Sequence, residues 1–255
     1  MICEVINLLF EERASKITSF INRAGAATVA ELARAAGTSE STVRRDIIEL
    51  DRRGALRKVY GGAVKISGGV TTGEYDVQTK SSIMREEKLR IARYAAATIH
   101  SDDLVYIDAG TTTELMIPYI DAPGAVFVTN GIAHAKLLTQ AGYTVYMTGG
   151  RLKLTTEAIV GHDAVMSLAR YNFSKCFMGT NGIDTVRGYT TPDVDEALVK
   201  EAAVARSYVA YVLADSGKFG IVSSVTFSPI DKALIVTDSQ PTGDFAERTV
   251  VKVVE

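Results

Sequence analysis

Along the first fifty or so residues the apolar positions recur every three or four, the spacing of helices that each bury one face. Ile17, Phe20, Ile21 and Ala24 share such a face, and Gly25 ends that helix. Thr28 and Glu31 have capping-box spacing, and Val29, Leu32, Ala33 and Ala36 supply the apolar side of a second, short helix, followed by a turn at Gly37 and Thr38. Ser39, an N-cap residue type, precedes a third helix whose seam is Val43, Ile47 and Leu50. At about 100° per residue, Ser41, Arg45 and Arg52 come out opposite that seam with Arg44 on the flank. Asp46 turns toward the seam, where a structural ion pair is expected. Gly54 reads as the stop, and LRKVYGGAVK offers two β-prone runs around Gly61 and Gly62, glycines that a hairpin tip tolerates. Helix, helix, turn, helix and wing is the order of a winged helix-turn-helix over residues 1–66, with its third helix shaped for the major groove of double-stranded DNA. MICEVINLLF, at the start, reads either as an extension of the first helix, with Ile2, Val5, Ile6 and Leu9 on one face, or as sequence upstream of the true start.

The pattern changes after the wing. Residues 67–80, SGGVTTGEYDVQTK, are glycine-rich and polar, and read as a linker. Helical spacing resumes from Arg85 to Ile99 through Leu89, Ala92, Ala96 and Ile99. From Leu104 onward short apolar runs (LVYID, AVFVT, TVYMT, SKCFMG, YVAYVLA, KALIVT and VVKVV) alternate with helical stretches. Strands this apolar are covered on both faces, which predicts an α/β domain over residues 81–255 with a mostly parallel sheet. The whole is an α/β two-domain chain.

Charge divides along the same boundary. Residues 1–65 carry 11 Lys+Arg against 8 Asp+Glu, and the remainder 17 against 22, within a net charge of -2. From residue 44 to the end of the wing, Arg44, Arg45, Arg52, Arg53, Arg57, Lys58 and Lys65 face only Asp46, Glu49 and Asp51, so phosphate neutralisation and salt-dependent affinity are expected. No apolar run approaches the ~18 residues of a membrane span, and no secretory signal is evident, so a cytoplasmic protein without membrane partners is expected. Cys3 and Cys176 lie in different domains, and His100, His134 and His162 lack metal-ligand spacing. All five read as structural, and no metal or cofactor is expected.

Ligands of parallel sheets bind beyond the carboxyl ends of the strands, so the loops there carry the candidate chemistry. AGTTTELM follows LVYID and sets a glycine and three threonines at a helix start, which offers N–H groups and hydroxyls to an anion. Asn130 and Gly131 follow AVFVT; Gly149, Gly150 and Arg151 follow TVYMT; Thr180, Asn181 and Gly182 follow SKCFMG. Asparagine suits sugar hydroxyls, and Arg151 or Lys218 could neutralise phosphate. These residues point to a small, polar, anionic ligand and no further.

Two sets of motifs add a resemblance. TVAELARAAGTSESTVRRDIIELDRRGALRKVYGGA resembles the amino-terminal signature of the DeoR family of bacterial transcription regulators. DAGTTT, VTNG, TGGRL, the GH after Val160, GTNGI, TTPDVDEALVK and LADSGKFG resemble that family's sugar-phosphate sensor domain, which is related to the ribose-5-phosphate isomerase and coenzyme A transferase folds. The resemblance implies that Ser39, Ser41, Thr42, Arg44 and Arg45, with Arg57, Lys58 and Tyr60 in the wing, contact DNA. It implies a phosphate loop of Asp108, Gly110, Thr111 and Thr112, and a sugar pocket lined by Thr129, Asn130, Gly149, Gly150, Arg151, Asn181, Glu196, Lys200 and Lys218. TTPDVDEALVKEAAVA, YVLADSGKFG and ERTVVKVV look most like fructose-operon repressors of Gram-positive bacteria, which implies fructose 1-phosphate as effector; subfamilies sensing tagatose 6-phosphate or glycerol 3-phosphate stay open.

A repressor that binds its operator as a homo-oligomer, dimer or tetramer, and leaves it when a phosphorylated sugar binds is therefore expected, not an enzyme. The competing reading is a sugar-phosphate isomerase or deaminase with an accessory DNA-binding head, using Asp193, Asp195 or Glu196 as general base. Asp195 and Glu196 also suit a plain helix-start role. Activation instead of repression stays open.

Overall fold

The computed structural model of the chain describes residues 2–52, 55–65, 70–71 and 76–255, in two compact units, Met1–Tyr75 and Asp76–Glu255. Arg53, Gly54 and most of the expected linker lie outside the described residues, as do the side chains of Ile2, Val5, Ile6, Leu9 and Arg52.

The first unit runs α1 (Ile2–Ala24), β1 (Ala26–Thr28), α2 (Val29–Ala36), α3 (Glu40–Arg52), β2 (Arg57–Val59) and β3 (Gly62–Val64). Its antiparallel sheet has the order β1-β3-β2. Helix α2 begins where expected because the Thr28 hydroxyl accepts from Glu31 N at 3.3 Å while the Glu31 carboxylate accepts from Thr28 N at 2.8 Å. It ends at Gly37, whose φ of 67° lies in the left-handed region that glycine adopts without strain. Ile17, Ile21, Leu32, Val43, Ile47, Leu50 and Leu56 make the core, each worth about 1.5–3 kcal/mol of apolar burial. Ala24 is exposed and Ala14 is buried, so the buried face of α1 lies further toward its start than the spacing indicated, because Gly25 ends the helix just as Ala24 leaves the core. The hairpin tip is Tyr60–Gly61. Gly62 is instead pinned in β3, where a Cβ would meet Ala27 O at 2.1 Å.

The second unit opens with α4 (Val77–Ser82) and α5 (Arg85–Ala96). Helix α4 corrects the linker expectation for residues 77–80. Asp76 caps it by accepting from Thr79 N at 2.8 Å, which a reading based on glycine content overlooked. Strands β4 (Leu104–Ile107), β5 (Val126–Thr129) and β6 (Thr144–Met147) follow, with α6 (Thr111–Glu114) and α7 (Ile132–Gln140) between them. A hairpin of β7 (Arg151–Lys153) and β8 (Ala158–Val160) leads to α8 (His162–Leu168) and β9 (Phe173–Gly179). Then come β10 (Gly182–Asp184), β11 (Gly188–Thr191), α9 (Val194–Ala205), β12 (Ser207–Leu213), β13 (Val225–Ser228), β14 (Leu234–Thr237) and β15 (Val251–Val253). All seven strands expected from the apolar runs join one sheet, order β15-β14-β12-β9-β4-β5-β6, paired in parallel throughout. Two buried clusters cover its faces. Tyr106, Val128, Cys176, Met178, Val199 and Val212 lie in one, and Ile91, Val105, Ile107, Phe127, Phe177 and Val236 in the other. The chain steps from β4 outward through β5 to β6, then returns on the other side of β4 with β9. That reversal opens a crevice beyond the carboxyl ends of β4 and β9.

Candidate functional site

In the first unit the charged face of α3 is built by its seam. With Val43, Ile47 and Leu50 buried, Ser41, Arg44 and Arg45 are forced outward into solvent. Ser39 caps the helix, its hydroxyl accepting from Thr42 N at 3.3 Å and lying 2.9 Å from both the Ser41 and Thr42 hydroxyls. Asp46 is 4 % exposed and takes two hydrogen bonds from Arg13, at 2.7 Å from Nε and 3.0 Å from Nη2. The expected ion pair therefore ties α3 to α1, which leaves Asp46 no part in the outer face. Arg44 pairs with Glu40 at 3.2 Å in solvent, an exposed contact that competing phosphate can displace. In the wing, Arg57, Lys58 and Tyr60 are exposed, and Asp51 of α3 accepts from Lys58 N at 2.8 Å, docking the wing against the helix.

In the second unit the crevice centres on Asp108, which is 1 % exposed and follows β4. Its Oδ2 accepts from Gly179 N at 3.0 Å, at the end of β9, and from Lys200 Nζ of α9; Lys200 also donates to Gly179 O at 3.1 Å. Burial pushes the Asp108 carboxyl up, opposed by Lys200 and by Gly179 N–H. Glu196 sits one turn before Lys200 and accepts from Lys153 Nζ at 3.1 Å and Thr156 Oγ1 at 2.6 Å. Burial raises its carboxyl, but Lys200, Thr156 and Lys153 together hold it below the usual range. Asp193 caps α9 through Glu196 N at 2.9 Å and binds Lys153 at 3.0 Å. The acids offered above as general bases are therefore helix cap and ion-pair partners.

A second, cationic wall stands beside the Gly110–Thr112 turn. Lys88 of α5 is 3 % exposed, and its amine donates to Lys80 O and, at 3.3 Å, to Thr111 Oγ1. Burial pushes Lys88 down to about 8; Asp215 opposes this, while Lys218 and Lys80 reinforce it. Lys80, Lys88 and Lys218 thus share one neighbourhood with the threonine turn. His134 holds that turn from below, its Nε2 3.1 Å from Thr113 Oγ1 and 3.2 Å from Gly110 O; burial keeps it neutral, with a pKa of about 4.

Asp108, Gly110, Thr111, Thr112, Asn181, Glu196 and Lys200 come together around the crevice. Thr129 and Asn130 are there too, but as braces: the Thr129 hydroxyl donates to Ile107 O at 2.6 Å, and Asn130 accepts from Ala109 N at 2.9 Å and donates to Ile159 O at 3.2 Å. Asn181 accepts from Thr191 Oγ1 at 3.2 Å. Gly149 and Gly150 contact Ser167 and Val160, seating the β7–β8 hairpin on α8. Arg151 is 64 % exposed in its side chain and bound to Asp195 at 2.8 Å, so Lys153, two residues on, is the cation that reaches inward. Lys80, Lys88, Lys153 and Thr156 escaped the sequence reading, whereas His134 fills the structural role expected of it. For Lys88 a signal existed: it lies on the stripe of Ile91, Ala92 and Ala95, and a lysine on a buried stripe needs a reason.

Residues 13–68 match the DeoR-like helix-turn-helix domain, and residues 62–239 match the DeoR C terminal sensor domain. The chain belongs to the DeoR family. It is 41% identical over 252 residues, 97% of this chain and 100% of the relative, to a Bacillus subtilis protein named "Uncharacterized HTH-type transcriptional regulator FruR". It is 32% identical to the lactose phosphotransferase system repressor of Staphylococcus aureus, over 88% of this chain and 90% of the relative. Ribose 5-phosphate isomerase A of Methanocaldococcus jannaschii shares 12% identity over 53% of this chain and 54% of that one, with a TM-score of 0.38. The chain is a transcriptional regulator of the DeoR type. Its named sequence relatives are regulators, which sets aside the isomerase or deaminase reading. Among the described residues, no helix is long and apolar enough to cross a membrane.

Proposed function

We propose that this regulator is a cytoplasmic repressor that binds operator DNA through α3 and the wing, as a homo-oligomer, and is released when a phosphorylated sugar fills the crevice of the sensor unit. Ser39, Ser41, Thr42, Arg44 and Arg45 would meet the groove, and Arg57, Lys58 and Tyr60 the adjoining backbone. A single winged helix makes a modest DNA interface, so two heads reading two half-sites supply the specificity. The observation that carries the effector assignment is the pairing of two walls: Lys88, bonded to Thr111, with Lys80 lining the same pocket as the Gly110–Thr111 turn, and a buried Asp108–Lys200–Glu196 network across the same crevice. The first suits a phosphate, and the second offers donors and acceptors to sugar hydroxyls. The name of the Bacillus relative and the resemblance to fructose-operon repressors favour fructose 1-phosphate.

Ligand weakens DNA binding only by preferring an arrangement of heads that no longer fits the half-sites. Thermal-shift and gel-shift titrations with fructose 1-phosphate, fructose 6-phosphate, tagatose 6-phosphate, glycerol 3-phosphate and fructose test the proposal. At 100 times its dissociation constant the true effector adds about 2.7 kcal/mol of stability. Fructose 1-phosphate is expected both to stabilise the protein and to release DNA. Release by unphosphorylated fructose alone would end the phosphate assignment, and release by a different sugar phosphate would end the fructose assignment.

A further inference from the structure

The outward stripe of α3 contains one residue that does not fit a purely polar reading. Ile48 is 53 % exposed, whereas its neighbour Ile47 is 2 % exposed in the seam. At about 100° per residue Ile48 falls within about 20° of Ser41, and it stands one turn beyond Arg44 and Arg45. A single exposed aliphatic residue is ordinary on a protein surface. This one lies among the exposed hydrogen-bonding side chains Ser41, Arg44 and Arg45, on the helix that a winged helix-turn-helix inserts into the major groove. The groove floor offers hydrogen-bonding edges at every base pair and a single kind of apolar group, the C5 methyl of thymine.

We propose that Ile48 is a specificity-determining residue that packs on a thymine methyl in the DNA site. The inference rests on the DNA-binding reading of α3. A rise of about 1.5 Å per residue puts Ile48 about 4.5 Å beyond Arg45 along the helix axis, against roughly 3.4 Å per base step. The thymine therefore lies within about two base pairs of the one that Arg45 addresses.

Full-length protein is used to select binding duplexes from a random-sequence library, and each thymine of the enriched duplex is then replaced singly by deoxyuridine, which removes the methyl and nothing else. At one thymine of each half-site the replacement weakens wild-type binding about fourfold, the equivalent of ~0.8 kcal/mol for one methyl-sized group. Ile48→Ala binds the thymine duplex at least that much more weakly and no longer distinguishes thymine from deoxyuridine there, while its melting temperature matches wild type. If a duplex is enriched but Ile48→Ala keeps the wild-type deoxyuridine profile, the assignment of Ile48 fails and DNA binding by α3 stands. An unchanged profile together with a smaller oligomer in sedimentation would place Ile48 against a second copy and overturn the proposal equally. If no sequence is enriched, the DNA-binding reading itself fails, and the role of Ile48 with it.

Discussion

Replacing Lys88 by methionine separates what this side chain costs the fold from what it does for a ligand. The amine lies 3 % exposed beside Lys80, Lys218 and Thr111, and burial drives its pKa from 10.5 to about 8. At ~1.36 kcal/mol per unit, that displacement corresponds to roughly 3 kcal/mol of unfavourable charge burial at neutral pH. Methionine keeps the length and removes the charge, but it deprives Lys80 O of this donor, which costs about 1 kcal/mol. The ligand-free Lys88→Met protein is expected to gain about 2 kcal/mol, or roughly 4–8 °C in Tm. The sign with pH follows from linkage. Between pH 8 and 10.5 the unfolded chain holds the Lys88 proton that the folded chain has released, so wild-type stability rises with pH across that window. The variant's advantage is full below pH 8 and fades toward 10.5. With a phosphate at the turn the variant's lead shrinks: the anion holds the proton on Lys88, wild type binds more tightly below pH 8 than above it, and the variant loses on the order of tenfold in affinity, about 1.4 kcal/mol, so its advantage at saturating ligand falls to about 0.6 kcal/mol. Melting curves from neutral to alkaline pH, with and without fructose 1-phosphate, read both halves. A variant that is less stable than wild type at pH 7 yet responds fully to the sugar phosphate would refute the reasoning.

Two further outcomes concern the reading head. Asp46→Ala removes the buried carboxylate that takes two hydrogen bonds from Arg13 and should destabilise the first unit by about 2–4 kcal/mol, seen as early loss of DNA binding in a urea titration while the sensor unit stays folded. Lys58→Ala should weaken binding to all DNA sequences alike and lower the slope of log affinity against log salt by about one; a change confined to one base position would contradict a backbone contact.

Legibility differed between the two units for identifiable reasons. The recognition face was readable because helical periodicity assigns each residue an angle. Once Val43, Ile47 and Leu50 form the seam, Arg45 must point out and Asp46 must point in. The seven strands of the main sheet were equally plain, since apolar runs such as LVYID and KALIVT have no other place to go than between two covered faces. Helix α4 was missed because a single capping carboxylate, Asp76, outweighed the polar composition of its neighbourhood. The hairpin bearing Lys153 hid behind the glycines that precede it.

Local pattern, then, decided the element types, the outward and inward faces of α3, and the set of loops that could hold an anion, because each of these depends on residues within a few positions of one another. Folding in three dimensions decided which of those loops meet. Asp108 and Lys200 are 92 residues apart in the chain, and Lys88 and Thr111 are 23 apart. Only the reversal of strand order beside β4, with α9 and α5 packed nearby, brings their charges within hydrogen-bonding reach. The same packing turned Thr129 and Asn130 into braces and Arg151 into a surface ion pair, outcomes set by contacts across 20 to 45 residues of sequence that no local spacing encodes.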